Sequence, residues 1–378
     1  MEKIELARQP LNATFELTAR CNLRCKMCLV RIDRERMAEL GGRERTAGEW
    51  IAMAKEIQEA GTIGLLLTGG EPLLRPDFPL IYQEIAKLGF MLTLYTNATL
   101  ITPKIMEILR RYPPHRIGIT IYGASRDTYE KVTGNPDAYD RMLEGIRQLG
   151  QLSSKLTVRT TLIKDNIKDL DLITRWVQTL GPQVQFSVSR IVTKPVRGCN
   201  SKVEICRLTP EQNVAMLEKR NTEFVIEPFY KLVNEYPQIV TNRAEEPINV
   251  KKHSSSERKP TLYGCEAGMS SYTITWDGKL IGCQMLGDCW TYPFEEGFTK
   301  AWQEFPKRVK LPPLPEQCNS CSLSCCACPA TRLAETGRLD GLPEYLCKES
   351  VLAKEMETRL ISQLNDLIMR GDENCAKV

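Results

Sequence analysis

From residue 13 to about 220 the chain repeats one pattern: a short apolar run of strand length, then a longer stretch with apolar residues three and four positions apart. The apolar runs predict strands at 13–18, 63–68, 90–96, 116–122, 156–163 and 184–191. Helices are expected near 47–60, 78–88, 103–111, 138–152, 168–180 and 210–220, two of them opened by Thr-Pro, at 102–103 and 209–210. Such alternation gives an α/β fold, a parallel sheet covered by crossover helices. Six βα units are too few for a closed eight-stranded barrel and enough for an open, partial (β/α)6 barrel over residues 1–220, with ligands expected at the C-terminal ends of the strands.

Residues 221–262 lose this rhythm and collect Pro228, Pro237, Pro247 and the polar run 253–260, the composition of a connector. Nine of the fifteen cysteines then fall between Cys265 and Cys347, in a turn-rich segment with few large apolar residues. A small domain at 263–350 is therefore expected to be held together by bound metal. Beyond it, Leu352, Met356, Leu360, Leu364 and Leu367 or Ile368 share one helical face, so 351–378 reads as a packing helix, ended by Gly371, and a tail.

Composition narrows the function classes. Hydrophobic content of 42% and charged content of 26% are those of an ordinary globular protein. A net charge of +4 from 51 basic and 47 acidic residues makes no field that selects nucleic acid or a membrane surface. The N-terminus lacks an apolar signal segment, and no run reaches the roughly 18 apolar residues of a spanning helix. A cytoplasmic location is the expectation. Fifteen cysteines without an export signal point to metal ligation or redox chemistry rather than disulfides. With only His115 and His253, a His-based triad or multi-histidine metal site is close to excluded.

Just after the first predicted strand stand Cys21, Cys25 and Cys28, spaced C-x3-C-x2-C. A [4Fe–4S] cluster normally takes four thiolates, so three local ligands leave one iron open to another molecule. A zinc knuckle with a distant fourth ligand is the competing explanation. The loop and its position resemble the radical SAM superfamily, in which the open iron chelates S-adenosylmethionine (SAM). The aromatic usual before the third cysteine is Met27 here, whose thioether can still pack on an adenine face. The second predicted strand ends in Gly69-Gly70-Glu71-Pro72, similar to the family motif that meets the SAM amino group; the glycines permit close backbone approach and Glu71 can accept from an ammonium. The resemblance implies that the strand-end residues Asn97, Thr120 and Arg159 line the SAM ribose and carboxylate. Each of these could equally be a satisfied polar group at the barrel rim.

The distal cysteines resemble the SPASM extension, which binds two auxiliary [4Fe–4S] clusters. Gly278-x4-Cys283 reads as a hairpin returning a thiolate beside Cys265. The resemblance implies that Cys318, Cys321, Cys325 or Cys326, and Cys347 hold one auxiliary cluster, with Cys328 crossing back to Cys265 and Cys283 on the other. The usual C-x2-C-x5-C-x3-C spacing is compressed around Cys325-Cys326-Ala-Cys328, so Cys325 and Cys326 stay unresolved as alternatives. The fourth ligand of the first auxiliary cluster is open, with Cys199, Cys206 and Cys289 as candidates.

The resemblance implies an oxidoreductase that forms a 5′-deoxyadenosyl radical and takes hydrogen from a residue in a ribosomally made peptide, giving a cross-link, an epimer or a related change. A dehydrogenase of a small alcohol or sugar is the runner-up, and a cysteine-rich electron-transfer or zinc-binding module the reading from another class. Gln284 stands where sulfatase-maturing relatives carry an aspartate base, and glutamine cannot accept a proton at neutral pH, which argues against formylglycine formation. Twenty residues precede Cys21, too few for a leader-binding winged helix, so a peptide's leader would be held by the barrel–SPASM groove or by a separate protein. An electron donor such as a flavodoxin or ferredoxin is also implied. Cys289 fits no position of the SPASM pattern and is read as an unligated thiol, a missing ligand or a hydrogen-atom donor.

Overall fold

The computed structural model describes residues 8–199, 201–228, 231, 261–287, 289–321, 323, 325 and 328–375. Most of the expected connector, and Cys326, lie outside them. The six expected strands are present as β1 (Asn12–Glu16), β2 (Gly64–Thr68), β3 (Met91–Thr96), β4 (Arg116–Thr120), β5 (Lys155–Thr161) and β6 (Gln185–Ser189), all parallel and paired in chain order. Helices Ala47–Glu59, Phe78–Ala86, Pro103–Arg111, Ala138–Leu149 and Leu170–Thr179 lie in the successive crossovers. The fold is thus the α/β partial barrel expected.

Local chemistry explains the helix starts. Thr46 and Glu49 form a reciprocal capping box, as do Thr209 and Gln212, while Thr102 accepts from the Ile105 amide with Pro103 in the first turn. Two crossover helices were not expected, Arg34–Glu39 and, between β4 and β5, Arg126–Thr133. The latter is capped by Ser125 and stopped by Gly134 at φ 69°, and two of its four buried residues are threonines, so it carries little apolar signal.

Strand alternation divides the sheet into two unlike faces. Phe15, Leu65, Leu67, Leu94, Ile117, Ile119 and Val158 are buried on one, in the same core as Trp50, Ile57, Phe78, Ile85 and Leu109 of the helices. On the other face the register aligns Glu16 with Thr68, Tyr95 with Gly118, and Thr120 with Arg159 and then Ser187. This second face is polar and opens at the strand ends where the cysteine loop begins.

The distal segment meets the barrel through its sheet. β7 (Ser271–Ile274) pairs parallel with β1, and β8 (Leu280–Ile281) returns antiparallel to β7, giving eight strands in the order β6-β5-β4-β3-β2-β1-β7-β8. The hairpin read from Gly278 exists, with that glycine at φ 89°. β7 covers an edge of β1 that would otherwise present unpaired backbone groups. Tyr272 anchors it, 2% exposed, with its ring 5.1 Å from Phe298 and 5.2 Å from Trp302 and its hydroxyl 2.8 Å from Thr62 Oγ1.

The described residues fall into two compact units. One lies within Met1–Arg207, Pro260–Pro313 and Cys328–Gly341, and the other within Leu208–Lys259, Leu314–Ala327 and Leu342–Val378. In the second, the Pro210–Asn221 helix packs on a long helix, Glu344–Cys375, through Val214, Leu217, Leu352, Met356, Leu360 and Leu364. The apolar face expected there is correct for the described positions, but the helix starts earlier than 351 and continues through Gly371. Among the described residues no helix is long and apolar enough to cross a membrane.

Because β7 belongs to the barrel sheet, Tyr272→Ala should destabilise the barrel itself by about 3–5 kcal/mol. Urea unfolding of the cluster-free chain, followed by tryptophan fluorescence, should show the main transition moving to lower denaturant. An unmoved main transition beside a new early one would mean that the hairpin unfolds as a separate body.

Candidate active site

The first cysteine loop is built on the pairing of β1 with β2, which continues past the strands. The Leu17 amide donates to the Thr68 carbonyl (2.9 Å), Gly70 to Thr18 (2.7 Å) and Glu71 to Arg20 (2.9 Å). Here the glycines show their use. A Cβ on Gly69 would lie 2.3 Å from the Thr18 carbonyl oxygen, and one on Gly70 2.3 Å from that of Arg20. The close backbone approach expected at this motif is thus an approach of the cysteine loop itself. Arg20 is fixed by two bonds to Glu44, 2.9 and 2.8 Å. Farther along, the Arg24 and Lys26 amides donate to the Thr133 and Val132 carbonyls, satisfying the end of the unexpected Arg126–Thr133 helix.

Cys21, Cys25 and Cys28 are half-buried in this loop. Burial pushes the Cys21 thiol up to about 12, with the Glu71 carboxylate adding to it. Burial likewise pushes Cys25 up to about 11, against a hydrogen bond from the Tyr122 hydroxyl. Cys28 is pushed well above its ordinary value by a hydrogen bond with Cys199 and by burial. Three thiols collected where ionisation is resisted need added positive charge to become thiolates, which a bound metal centre supplies. That donor set fits an iron–sulfur cluster with three cysteine ligands. The Leu23 amide points at Cys21 Sγ (3.4 Å) and the Arg31 amide at Cys28 Sγ (3.2 Å), placing N–H donors where charge on sulfur would develop.

Glu71 is fully buried and accepts from the Leu73 amide (3.0 Å), the Thr96 hydroxyl (2.8 Å) and the Asn97 amide (2.8 Å). Desolvation raises its pKa to about 7 against those three bonds. A carboxylate has about four acceptor sites, so roughly one remains for a ligand. The Asn97 side chain donates to Asn22 (2.9 Å) beside Cys21, tying the end of β3 to the loop. The next residue, Ala98, takes φ 59°, the left-handed region that costs a residue with a Cβ about 1–2 kcal/mol. Thr120 and Arg159 are register partners on the polar face, and the Arg159 guanidinium lies 4.5 Å from the centre of the Tyr95 ring.

The sequence missed a buried ion pair on this face. Arg197, after β6, reaches Glu16 at the end of β1 with two bonds of 2.8 and 2.7 Å and donates to the Gln284 carbonyl at 2.8 Å. A lone glutamate inside an apolar strand was the available signal. Gln284 itself is exposed.

The distal cysteines form two groups. In the first unit the Cys283 thiol is pushed up by burial and by its neighbours Cys328 and Cys265. In the second, Cys347 is pushed up by burial and then by Cys325, Cys318 and Cys321. Cys289 lies 3.3 Å from the Tyr263 hydroxyl, Cys206 is buried, and the Cys199 thiol donates to the Cys28 carbonyl (3.1 Å). Among the described residues no three Cys, His, Asp or Glu side chains could hold a single metal ion. Tetrahedral zinc would need sulfurs only about 3.8 Å apart.

Residues 15–177 match the Radical SAM superfamily. An AdoMet-dependent heme synthase from Methanosarcina barkeri is 28% identical over 343 residues, 88% of this chain and 95% of that protein. A PqqA peptide cyclase from Bradyrhizobium diazoefficiens is 27% identical over 161 residues, 43% of this chain and 41% of the cyclase. Among solved structures, Streptococcus suis SuiB bound to its precursor peptide SuiA superposes with a TM-score of 0.65 at 17% identity, covering 92% of this chain and 77% of SuiB. Native anSMEcpe with bound AdoMet gives 0.60 at 15%, covering 95% and 100%. The structural likenesses establish the fold. Residues 15–177 form a radical SAM superfamily domain, and members of that family use a [4Fe–4S] cluster and SAM for radical reactions.

The buried Glu71 has a stability signature. Between its ordinary 4.5 and about 7 the folded chain holds a proton that the unfolded chain has released, so stability falls as pH rises through that window and levels off above it. The total loss is on the order of 3 kcal/mol. Urea midpoints of the cluster-free chain across the window should fall for wild type and stay level for Glu71→Gln. Parallel curves would show that Glu71 folds ionised.

Proposed function

We propose that the chain is a radical SAM enzyme with two auxiliary clusters that modifies a residue within a ribosomally made peptide. A bound cluster and SAM would supply reductive cleavage to methionine and a 5′-deoxyadenosyl radical able to take hydrogen from an unactivated carbon. The chain's residues bind, orient and enclose. Cys21, Cys25 and Cys28 hold the cluster, and Glu71 offers its remaining acceptor site to the SAM ammonium while Gly69 and Gly70 fix its distance from the loop. Asn97, Thr120 and Arg159 present polar groups along the strand ends. Cys265, Cys283 and Cys328 serve one auxiliary cluster; Cys318, Cys321, Cys347 and Cys325 or Cys326 serve the other. Cys289 beside Tyr263 is an unligated thiol, the missing fourth ligand or a hydrogen-atom donor.

The observation that carries this reading is the separation of the thiols into three groups, one at the end of β1 and one distal set in each unit. The peptide substrate is favoured by fold likeness to SuiB with its precursor peptide and by the partial match to a peptide cyclase. The alignment with 95% of a heme synthase favours a second reading, an iron porphyrin as substrate.

Anaerobically prepared wild-type protein should hold about twelve irons with matching sulfide and release deoxyadenosine under reductant. The Cys21/Cys25/Cys28→Ala triple variant should keep about eight irons and make no deoxyadenosine; complete iron loss would refute separate sites. Deoxyadenosine release should rise with a cysteine-rich precursor peptide. A rise with an iron porphyrin instead would transfer the substrate to the second reading. Cys347→Ala should lose about four irons and soluble yield, since its segment depends on metal to fold; unchanged iron content would make Cys347 a bystander.

A further inference from the structure

Cys199 belongs to none of the three thiol groups assigned to clusters, yet it meets Cys28 of the first. Its thiol donates to the Cys28 carbonyl at 3.1 Å, and the two side chains share a hydrogen bond. The Ser201 hydroxyl lies 3.2 Å from the same sulfur. Both sides of this contact are fixed. Arg197 is tied to Glu16 by bonds of 2.8 and 2.7 Å, and Gly198 turns the chain at φ 90°, where a Cβ would come within 2.7 Å of Leu40 Cδ1. Across from it, the Cys28 amide donates to the Cys25 carbonyl at 3.1 Å and the Arg31 amide to Cys28 Sγ at 3.2 Å.

Two thiols held in contact need little movement to become a disulfide. Ligands to separate irons of a cluster sit at its separate corners, so the contact favours a bond between these sulfurs over a shared cluster. A cavity of about 310 Å³ gives a small oxidant a way in, with Cys199 in its lining and Cys28 behind it. Cys25 and Cys206 share that lining, but each is engaged elsewhere: Cys25 by the Tyr122 hydroxyl, and Cys206 by the Val203 carbonyl of its own helical turn at 3.5 Å.

We infer that Cys28 and Cys199 are a redox modification site, joined by hydrogen peroxide into a reversible disulfide whenever no cluster occupies the first cysteine loop. The inference rests on the reading that Cys28 is a cluster ligand. The Cys199 sulfur attacks peroxide, the O–O bond breaks, one water leaves and a sulfenic acid remains. The Cys28 sulfur then attacks that sulfur, forming the S–S bond and releasing the hydroxyl with the thiol proton as a second water. Two thiols lose two electrons, and peroxide gains them. A dithiol reverses the step by exchange. While so bonded, Cys28 is kept from the sulfinic and sulfonic acids, which would destroy the ligand for good.

The test treats the cluster-free chain, prepared anaerobically under reductant that is then removed, with hydrogen peroxide in slight excess, blocks the remaining thiols with N-ethylmaleimide and maps the digest by mass spectrometry. Wild type should give a peptide joined through Cys28 and Cys199 as the main cross-link of the first cysteine loop, and dithiothreitol should remove it. Cys206→Ser should give the same peptide. After a larger dose of peroxide and then dithiothreitol, wild type should regain its iron and its deoxyadenosine formation on reconstitution. Cys199→Ser should instead carry sulfinic or sulfonic acid at Cys28 and hold about four irons fewer. Without peroxide, Cys199→Ser should match wild type in both. Absence of the Cys28–Cys199 peptide, pairing of Cys28 with Cys21 or Cys25 instead, or equal recovery of Cys199→Ser and wild type overturns the inference. Loss of about four irons from untreated Cys199→Ser also overturns it and makes Cys199 a cluster ligand. A wild type that loads iron only at the distal cysteines would count against the proposed function, while the peptide map, which needs no iron, would still decide the pairing.

Discussion

The site depends on one close approach, the turn after β2 lying against the loop after β1. Their backbones meet through the Gly70 and Glu71 amides, at a distance that leaves no room for a Cβ on Gly69 or Gly70. Burial of Glu71 follows from this contact, and so does its place near Cys21. Through its carboxylate Glu71 then orders Leu73, Thr96 and Asn97, and through Asn97 and Asn22 the network returns to the cysteine loop. The ring is closed and mostly buried, so its members stabilise one another, and leaving any one unsatisfied would expose the full cost of a buried polar group.

The loop so fixed is poor ground for thiolates. Burial holds Cys21 and Cys25 above the ordinary thiol range, and the half-buried Arg31 contributes only a weak opposing charge. Binding of a cationic metal centre therefore releases protons and relieves a desolvation penalty together, which couples site assembly to pH and to folding. In the distal groups Cys283 and Cys347 are raised by burial in the same way, while Cys265, Cys321 and Cys328 are exposed. The stretch 316–328 has no buried apolar residue among the described ones, so ligation has more to contribute to its order.

Much of the barrel was legible in the sequence because one face of each strand from β1 to β5 is buried against helices. Leu65, Leu67, Ile117, Ile119 and Val158 announce it by alternation alone. The Arg126–Thr133 helix was not legible because its buried positions include Thr128 and Thr133, which carry no apolar signal. Gly278 announced a hairpin, yet nothing in residues 271–281 tells which edge they will join, since parallel pairing with β1 is settled by contacts more than two hundred residues apart. At the site, the cysteines and the Gly-Gly-Glu turn stand out by residue type. The Glu16–Arg197 pair does not, because its partners are distant in sequence and the lone Glu16 in its strand does not tell which cation will meet it.

The Glu16–Arg197 pair joins three parts of the chain. Glu16 ends β1, immediately before the loop of the first cysteines; Arg197 comes from the segment after β6; and Gln284, whose carbonyl receives the third bond, directly follows Cys283. One guanidinium thus connects the last barrel strand, the first, and the hairpin attached at β7. Burying such a pair brings little net stability, because desolvation offsets most of the attraction. Breaking it is different: an unpaired Glu16 carboxylate, with no exposed surface, would cost about 3–5 kcal/mol. The arrangement therefore enforces geometry rather than adding stability. It holds the segment from Arg197 to Cys199 against the cysteine loop, where Cys199 meets Cys28, and the hairpin cysteine in a fixed relation to β1.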